Sequence, residues 1–434
     1  MRHLLVSFLI VLVLGMCLLL SANVRAAGGA ISVLDQRAEN QFPDGIRFFI
    51  TAQSPNEISD IKVFLTVLGV TKTSTYRAVD INAGIQVSGE ALVRSGSGGE
   101  YIPPGTRLQY YFEIQDKAGE VYRTDSQVLV YLDNRFSWGT VSNDSIIIYY
   151  QGDAMKAQAQ NMLHVAQDTL NRMGPILGIQ PHDPLVIVTY NDYGDMKQAL
   201  PFRGYTVDAQ LITQGIAFSE QRTLVVYGFN ASYIGTTSHE FTHLLVADTA
   251  GRAIDRVPAW LNEGLAEFAN LESSAGYQEA LDRAISANEV RPLWFQGTYS
   301  GTPEEIIIAY GQGKSVVTYM ISTYGEAKMA ELFQDLKKSF DIDSALQSVY
   351  GFDQRGLDAA WRESVGAKPL EPEEQTTGPV PSQERPSEDQ AQKSSPGCSA
   401  PNQELGGITD LALLAVLGGP IAMISFQAFR KRVT

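Results

Sequence analysis

Cysteine is almost absent from this chain, which has two cysteines in 434 residues. Cys17 lies in an apolar segment near the N-terminus, and Cys398 lies in a polar segment rich in proline and serine. Neither segment has the pattern of a folded domain, so the folded domains are expected to contain no thiol. A disulfide framework and a thiolate metal site are therefore excluded from them.

Basic residues are outnumbered by acidic ones. The chain has 33 lysines and arginines against 48 aspartates and glutamates, which gives a formal net charge of −15. Nucleic acids and anionic membrane surfaces attract proteins with basic patches. Because this chain is acidic, we expect no nucleic-acid partner. The sequence also has no glycine-rich phosphate loop, no internal repeat and no haem motif.

Histidine is scarce as well, yet two of the five histidines stand four residues apart, in the segment His-Glu-Phe-Thr-His. Residues at this spacing share one face of a helix, so His239 and His243 can bind one metal ion together. Glu240 lies beside them and can accept a proton from a water molecule on that ion. The motif is typical of a zinc hydrolase.

Helix signals surround the motif. Thr237 can cap the start of a helix, the apolar run 244–246 continues it, and Gly251 is suited to its end. An alternative reading is that Thr237 and Glu240 form a capping box, in which Glu240 bonds only to the backbone.

A catalytic zinc ion needs a third protein ligand and one position for water. The segment 257–268, V-P-A-W-L-N-E-G-L-A-E-F, predicts a second helix with Pro258 in its first turn. Glu263 and Glu267 lie one turn apart on this helix, so both face the same way. The alternative is an exposed face on which the two carboxylates serve only solubility.

These two segments together resemble the gluzincin zinc metallopeptidases, which have thermolysin-like or aminopeptidase N-like catalytic domains, and most closely the peptidase MA-like family of extracytoplasmic proteins. The resemblance covers residues 144–367. It implies three ligands for one Zn²⁺ per chain: His239, His243 and Glu263. It also implies that Glu240 is the general base and that Glu267 orients His239 by a hydrogen bond.

The same resemblance implies a substrate-binding strand before the active-site helix, formed by Gly215, Ile216 and Ala217. Aminopeptidase N-type enzymes have a G-x-M-E-N signature in this strand, whose glutamate holds the substrate amine. Phe218 stands at that point here, which favours an endopeptidase over an aminopeptidase. Glu220 lies nearby and keeps an aminopeptidase open.

A tyrosine of the lower lobe often donates a hydrogen bond to the tetrahedral oxyanion in gluzincins. The resemblance implies this role for Tyr310, in the helical segment 306–325. The alternative is a tyrosine that packs in the core with its hydroxyl bonded elsewhere.

Residues 27–140 contain short runs of β type, which are separated by turns rich in glycine and proline. The runs are 46–51, 61–67, 108–114 and 127–131. They predict an all-β sandwich of immunoglobulin or fibronectin III type, acting as a spacer or as a ligand-binding module. The β-α-β order that opens residues 144–367 fits an α+β gluzincin, or zincin-like, domain.

The two ends of the chain predict targeting and anchoring. Residues 1–26 have the basic start, apolar run and small-residue cleavage site of a signal peptide. Residues 408–428 predict a short transmembrane helix followed by a basic cytoplasmic tail at 429–434, although an interfacial or cleaved sorting tail is the alternative. Residues 368–405 predict a disordered acidic linker. We therefore expect a single-pass protein of the cell membrane, with its catalytic domain outside the cytoplasm on a bacterial cell surface.

The sequence as a whole predicts a membrane-anchored zinc metallopeptidase that acts on peptides or proteins. The competing hypothesis is a surface protein without activity, in which the β-sandwich binds a partner and the peptidase-like domain is a scaffold. Nothing in the sequence indicates an oligomeric state.

Overall fold

The computed structural model of the protein describes residues 31–96, 101–201, 214–272, 275–295 and 302–370. The predicted signal peptide, the transmembrane helix, the cytoplasmic tail and all of the predicted linker after residue 370 lie outside these ranges. Within them, no helix is both long and apolar enough to cross a bilayer.

The N-terminal part of the chain is a seven-stranded antiparallel sheet, which we call the β-domain (residues 31–133). Its strands are β1 (Ser32–Gln41), β2 (Gly45–Val67), β3 (Ser74–Ala78), β4 (Gly84–Arg94), β5 (Thr106–Asp116), β6 (Val121–Arg123) and β7 (Gln127–Tyr131). Inward residues of β2 and β5 alternate with outward ones, as expected for a sheet with one buried face. The all-β character predicted for this region is confirmed.

The predicted sandwich has two separate sheets, whereas the strands of the β-domain form one hydrogen-bonded sheet. The predicted strands 46–51 and 61–67 are the two halves of one continuous strand, β2, which pairs with β1 and β4 in its first half and with β3 and β5 in its second. Pro55 stands between the halves, where the register with β4 shifts between Gln53 and Ile58. Proline removes a ladder hydrogen bond but leaves the chain extended, so β2 exchanges partners there without ending.

The second part of the chain begins with a five-stranded mixed sheet in the order β11-β12-β10-β9-β8. Its strands are β8 (Trp138–Ser142), β9 (Ile146–Gln151), β10 (Leu185–Tyr190), β11 (Gly215–Phe218) and β12 (Thr223–Tyr227). Strands β9, β10 and β12 are parallel, whereas β8 and β11 pair antiparallel at the two edges. Because β11 is an edge strand, one of its sides has no strand partner among the described residues.

Nine α-helices accompany this sheet in the described ranges. They are α1 (Lys156–Leu177), α2 (Tyr193–Ala199), α3 (Tyr233–Ala250), α4 (Ala259–Ala269), α5 (Ala275–Ala287), α6 (Pro303–Tyr324), α7 (Glu326–Ser339), α8 (Ile342–Tyr350) and α9 (Gln354–Val365).

The five-stranded sheet is covered on both faces. Along β10, Leu185 and Ile187 pack into the helical core, while Val186 and Val188 pack into the core of the β-domain. Such double burial explains why β10 is apolar at consecutive positions, since a strand with one wet face would alternate. The β-domain is therefore packed directly on the sheet that carries β11.

Candidate metal centre

The His-Glu-Phe-Thr-His motif lies on α3, which starts earlier than the sequence predicts. Ser232 is the residue before its first turn, and Gly251 follows its last residue as expected. Thr237 is inside the helix and fully buried, so the predicted start at Thr237 is wrong. Gly235 lies in the first turn and weakens the helix signal there. A Cβ atom at this position would lie 2.8 Å from Glu272 Oε2, at the end of a side chain that would have to move.

Helices α3 and α4 bring three ligand atoms together. The Nε2 atoms of His239 and His243 are 3.2 Å apart, and Glu263 Oε2 lies 3.3 Å from the first and 3.5 Å from the second. All three side chains are buried. A tetrahedral zinc ion with bonds of about 2.0–2.1 Å holds its nitrogen and oxygen ligands about 3.3–3.4 Å apart. The observed spacing fits such an ion.

The outer nitrogen of each imidazole, Nδ1, points away from the three ligand atoms and is hydrogen-bonded to an oxygen atom. His239 Nδ1 lies 2.9 Å from Glu267 Oε1, and His243 Nδ1 lies 2.9 Å from Asn262 Oδ1. Oxygen acceptors at both positions favour the tautomers that carry the proton on Nδ1. The Nε2 lone pairs then face each other, an arrangement that a cation stabilises.

Glu263 Oε2 supports the same fit. This buried atom accepts no hydrogen bond from any described residue, although a buried carboxylate oxygen normally has a donor. A metal ion at the centre of the three ligand atoms would supply the missing partner.

Close packing between α4 and α6 holds Glu263 in place. A Cβ atom on Gly264 would lie 2.4 Å from the carbonyl oxygen of Gly313, so only glycine allows this approach. The glycine of the Asn-Glu-Gly segment is therefore explained by helix packing, and the residue before it faces the cluster.

Glu240 is fully buried beside the imidazoles. Its Oε2 accepts a hydrogen bond of 3.1 Å from the backbone N–H of Ala217, in β11. Its Oε1 has no hydrogen-bond donor among the described residues. The capping-box alternative fails, because Glu240 bonds to a different element and not to the start of its own helix.

Strand β11 approaches α3 closely. Gln214 bonds to Tyr227, so the alternate residues Gly215 and Ala217 direct their backbone groups away from β12 and toward the free edge. A Cβ atom on Gly215 would lie 2.8 Å from Thr236 and 3.1 Å from Glu240 Cγ, which explains the glycine. Ile216, between them, points to the other side of the strand and is buried.

Tyr310 lies in α6, next to the cluster. Its ring centroid is 6.2 Å from that of His239. It is stacked on Tyr277 of α5, with centroids 5.5 Å apart and planes inclined by 17°. Gly311 allows this stacking, because a Cβ atom there would lie 2.5 Å from the carbonyl oxygen of Tyr277.

Sequence reasoning missed two of these neighbours. Asn262 precedes Glu263 in the sequence, but no sequence signal indicates that its amide contacts His243. Tyr277 stands in α5 at a position that no motif marks, and only the packing of α5 on α6 brings it to Tyr310.

The carboxylates change the acid–base properties of the imidazoles. Burial alone lowers the pKa of a histidine, because it disfavours the charged form. At His239 the adjacent carboxylates of Glu263 and Glu267 outweigh burial and raise its pKa. At His243 the negative charge of Glu263 does the same, while the pKa of Glu263 is lowered against its own burial by the charge of His243. In the metal-free state the cluster therefore attracts a proton, as it would attract a cation.

Zinc affinity should consequently depend on pH. Because the pKa of both imidazoles is raised above its ordinary value, protons compete with a zinc ion up to a higher pH than at ordinary histidines. The affinity should rise with pH, by about tenfold per pH unit for each proton displaced. Competition with a chelator of known pH dependence, from about pH 6 to pH 9, measures this slope. A flat profile would contradict binding at the histidines.

Comparison with known proteins shows what this part of the chain is similar to. Residues 165–367 match the model of the Peptidase MA superfamily. We call these residues the Peptidase MA region. The resemblance inferred from the two sequence segments is thereby confirmed, and the helices that bear the cluster, α3 and α4, lie inside the matched region.

Solved structures are also similar to the chain. One is the M1 zinc metallopeptidase of Deinococcus radiodurans, with 13% identity, a TM-score of 0.35, and coverage of 75% of this chain and 92% of that one. Another is yeast LTA4 hydrolase in complex with bestatin, with 11% identity, a TM-score of 0.31, and coverage of 79% and 68%. Comparison with curated protein sequences gave no significant match. Likeness at these TM-scores is too low to transfer an activity to the Peptidase MA region, whose chemistry must be inferred from the cluster itself.

Proposed function

We propose that the protein is a zinc metallopeptidase that hydrolyses peptide bonds, with one zinc ion per chain on His239, His243 and Glu263. The observation that carries the proposal is the triangle of ligand atoms, whose sides of 3.2, 3.3 and 3.5 Å fit a tetrahedral ion. A buried carboxylate, Glu240, lies beside this triangle. The match of residues 165–367 to the Peptidase MA superfamily model supports the same conclusion.

Zinc bound there would polarise a water molecule and lower its pKa toward neutrality. Glu240 would act as the general base: Oε1, which has no donor among the described residues, would take a proton from the attacking water and pass it to the leaving amine. The hydrogen bond from Ala217 to Oε2 fixes the orientation of the carboxylate during both transfers. Glu267 and Asn262 keep the two imidazoles turned toward the ion.

Tyr310 is proposed to donate a hydrogen bond to the oxyanion. Tyr310→Phe should then lower kcat by roughly ten- to a thousandfold with little change in melting temperature, because it removes the hydroxyl and keeps the buried ring. Tyr319→Phe is the matched control, since it lies on the same helix and its hydroxyl pairs with Tyr324 instead. Equal kinetics for the two variants would assign Tyr310 to the core, where its ring is already buried.

We propose that a peptide substrate lies along the edge of β11, at Gly215, Ile216 and Ala217. The outward backbone groups of Gly215 and Ala217 can extend the sheet by pairing with an extended peptide. The amide of Ala217 is bonded to Glu240, so its carbonyl oxygen is the acceptor left for the substrate.

An endopeptidase is proposed rather than an aminopeptidase. Glu220 is the one acidic residue in the hairpin from β11 to β12. Its side chain accepts hydrogen bonds from Thr71 of the β-domain, so it is already engaged away from a substrate amine.

Hydrolysis of matched peptides tests this proposal. A peptide with an acetylated N-terminus and the same peptide with a free amine should be cleaved internally, at similar rates and at the same bond. Release of single residues from the free amine only would show an aminopeptidase. Cleavage of neither peptide, nor of a library of unfolded proteins, by zinc-loaded chain would contradict the peptidase itself.

We also propose that residues 408–428 anchor the protein in the membrane with residues 31–370 outside the cytoplasm. The apolar segment and the basic tail in the sequence support this arrangement. Protease added to intact cells should release the β-domain and the Peptidase MA region together. Full protection would place them inside.

A further inference from the structure

The turn between β11 and β12 is held by the β-domain. The backbone N–H of Val70 donates a 3.0 Å hydrogen bond to the carbonyl oxygen of Glu220. The backbone N–H and the hydroxyl of Thr71 both donate to Glu220 Oε1. A Cβ atom on Gly69 would lie 1.9 Å from the carbonyl oxygen of Glu220, so the two turns are in direct backbone contact.

A second contact from the β-domain reaches β11 itself. The ring of Tyr101 packs on Phe218, the last residue of the strand, with centroids 5.5 Å apart. The hydroxyl of Tyr101 donates a 2.5 Å hydrogen bond to the carbonyl oxygen of Ala199, which holds the ring in place against Phe218. Both the strand and the turn that follows it are therefore supported by the β-domain.

The same turn is tied to α3 on its other side. Arg222 donates to Asp248, on α3, at 2.6 Å and to the carbonyl oxygen of Asp183 at 2.9 Å. Arg222 has a φ angle of 57°, in the left-handed region, which a residue other than glycine adopts at a cost in free energy. The turn thus joins the β-domain to the helix that carries His239, His243 and Glu240.

Strand β11 carries the only described donor to Glu240, the N–H of Ala217. The carboxylate is fully buried, so a shift of β11 would leave it without that donor and free to rotate. Displacement of a reacting group by about 1 Å can cost roughly a hundredfold in rate. The orientation of the Glu240 carboxylate therefore depends on the position of β11.

We infer that the β-domain is a working part of the active site: Thr71 and Tyr101 are positioning residues that hold β11, and through Ala217 they hold Glu240. The inference rests on the proposed role of Glu240 as the base. It gives the β-domain a function that neither a spacer nor a separate binding module would have.

The test uses the full chain with Glu220→Ala, which removes the acceptor of both Thr71 bonds. We expect kcat to fall by roughly ten- to a hundredfold. Zinc affinity should be unchanged, because none of the three proposed zinc-binding residues lies in this turn. In the metal-free protein, the amide hydrogen of Ala217 should exchange faster with solvent than in the unmodified chain. Glu220→Gln keeps an oxygen acceptor and should restore both properties. Phe218→Ala, which removes the ring that Tyr101 contacts, should act like Glu220→Ala.

Thr51→Ala is the matched control. It removes a hydroxyl pair with Ser88 on an exposed face of the β-domain, without contact to β11. It should leave kcat and Ala217 exchange unchanged.

Three outcomes would overturn the inference. The first is normal kcat and normal Ala217 exchange in both Glu220→Ala and Phe218→Ala. The second is an equal effect of Thr51→Ala, and the third is a loss of zinc affinity in parallel with kcat, which would show a general effect on the fold. If the unmodified chain binds zinc but cleaves no peptide, the proposed function fails, while Ala217 exchange still decides whether the β-domain holds β11.

Discussion

Replacing Glu240 by glutamine should lower kcat at least about a hundredfold while the chain keeps its zinc. Glutamine has the same size and can still accept the hydrogen bond from Ala217, so the fold and the position of β11 should survive. It cannot take a proton from water at neutral pH. Loss of turnover without loss of metal therefore isolates proton transfer.

The measurement compares kcat and bound zinc in Glu240→Gln with those in Glu279→Gln, which changes an exposed glutamate of α5. The control should match the unmodified chain in both properties. Unchanged turnover in Glu240→Gln would show that Glu240 only supports the fold. Absence of activity in the unmodified chain would instead favour the hypothesis of an inactive surface protein.

The second large effect separates the two carboxylates of α4. Glu263 Oε2 is within 3.5 Å of both imidazole Nε2 atoms, whereas Glu267 contacts the outer nitrogen of His239 and accepts a hydrogen bond from Asn270. Glu263→Ala should therefore lose most of the zinc, because it removes one of three protein ligands. Glu267→Ala should weaken zinc affinity about 10–100-fold and still fill at high zinc.

Asn262→Ala provides a matched comparison, since Asn262 bonds to the outer nitrogen of His243 as Glu267 does to that of His239. It should resemble Glu267→Ala and not Glu263→Ala. Zinc titration of the three variants gives the order directly. If Glu267→Ala lost more zinc than Glu263→Ala, the ligand assignment would be wrong.

Some of this structure could be read from local pattern. Strand β10 occupies Leu185–Tyr190, because six apolar or β-branched residues bounded by polar turns leave little alternative. The grouping of His239 and His243 with Glu263 follows from helical spacing together with a family resemblance. In these cases the information lies within one or two short segments.

Other features depend on contacts between distant segments. The first turn of α3 contains Gly235, which lies against Glu272, and the continuity of β2 through Pro55 depends on which strands lie beside it. The support of Glu220 by Thr71 joins residues 149 positions apart. No local signal marks such pairs, because each residue is ordinary in its own turn.

The central claim is that the cluster on α3 and α4 holds a zinc ion that is needed to cleave peptide bonds. Its most direct test is a titration in which zinc is returned to chelated full-length protein while bound metal and peptide cleavage are measured in the same sample. Cleavage should be absent without metal and rise in proportion to bound zinc up to one equivalent per chain, as a single catalytic site requires. Cleavage that persists in metal-free protein, or folded protein that binds no zinc, would contradict the claim.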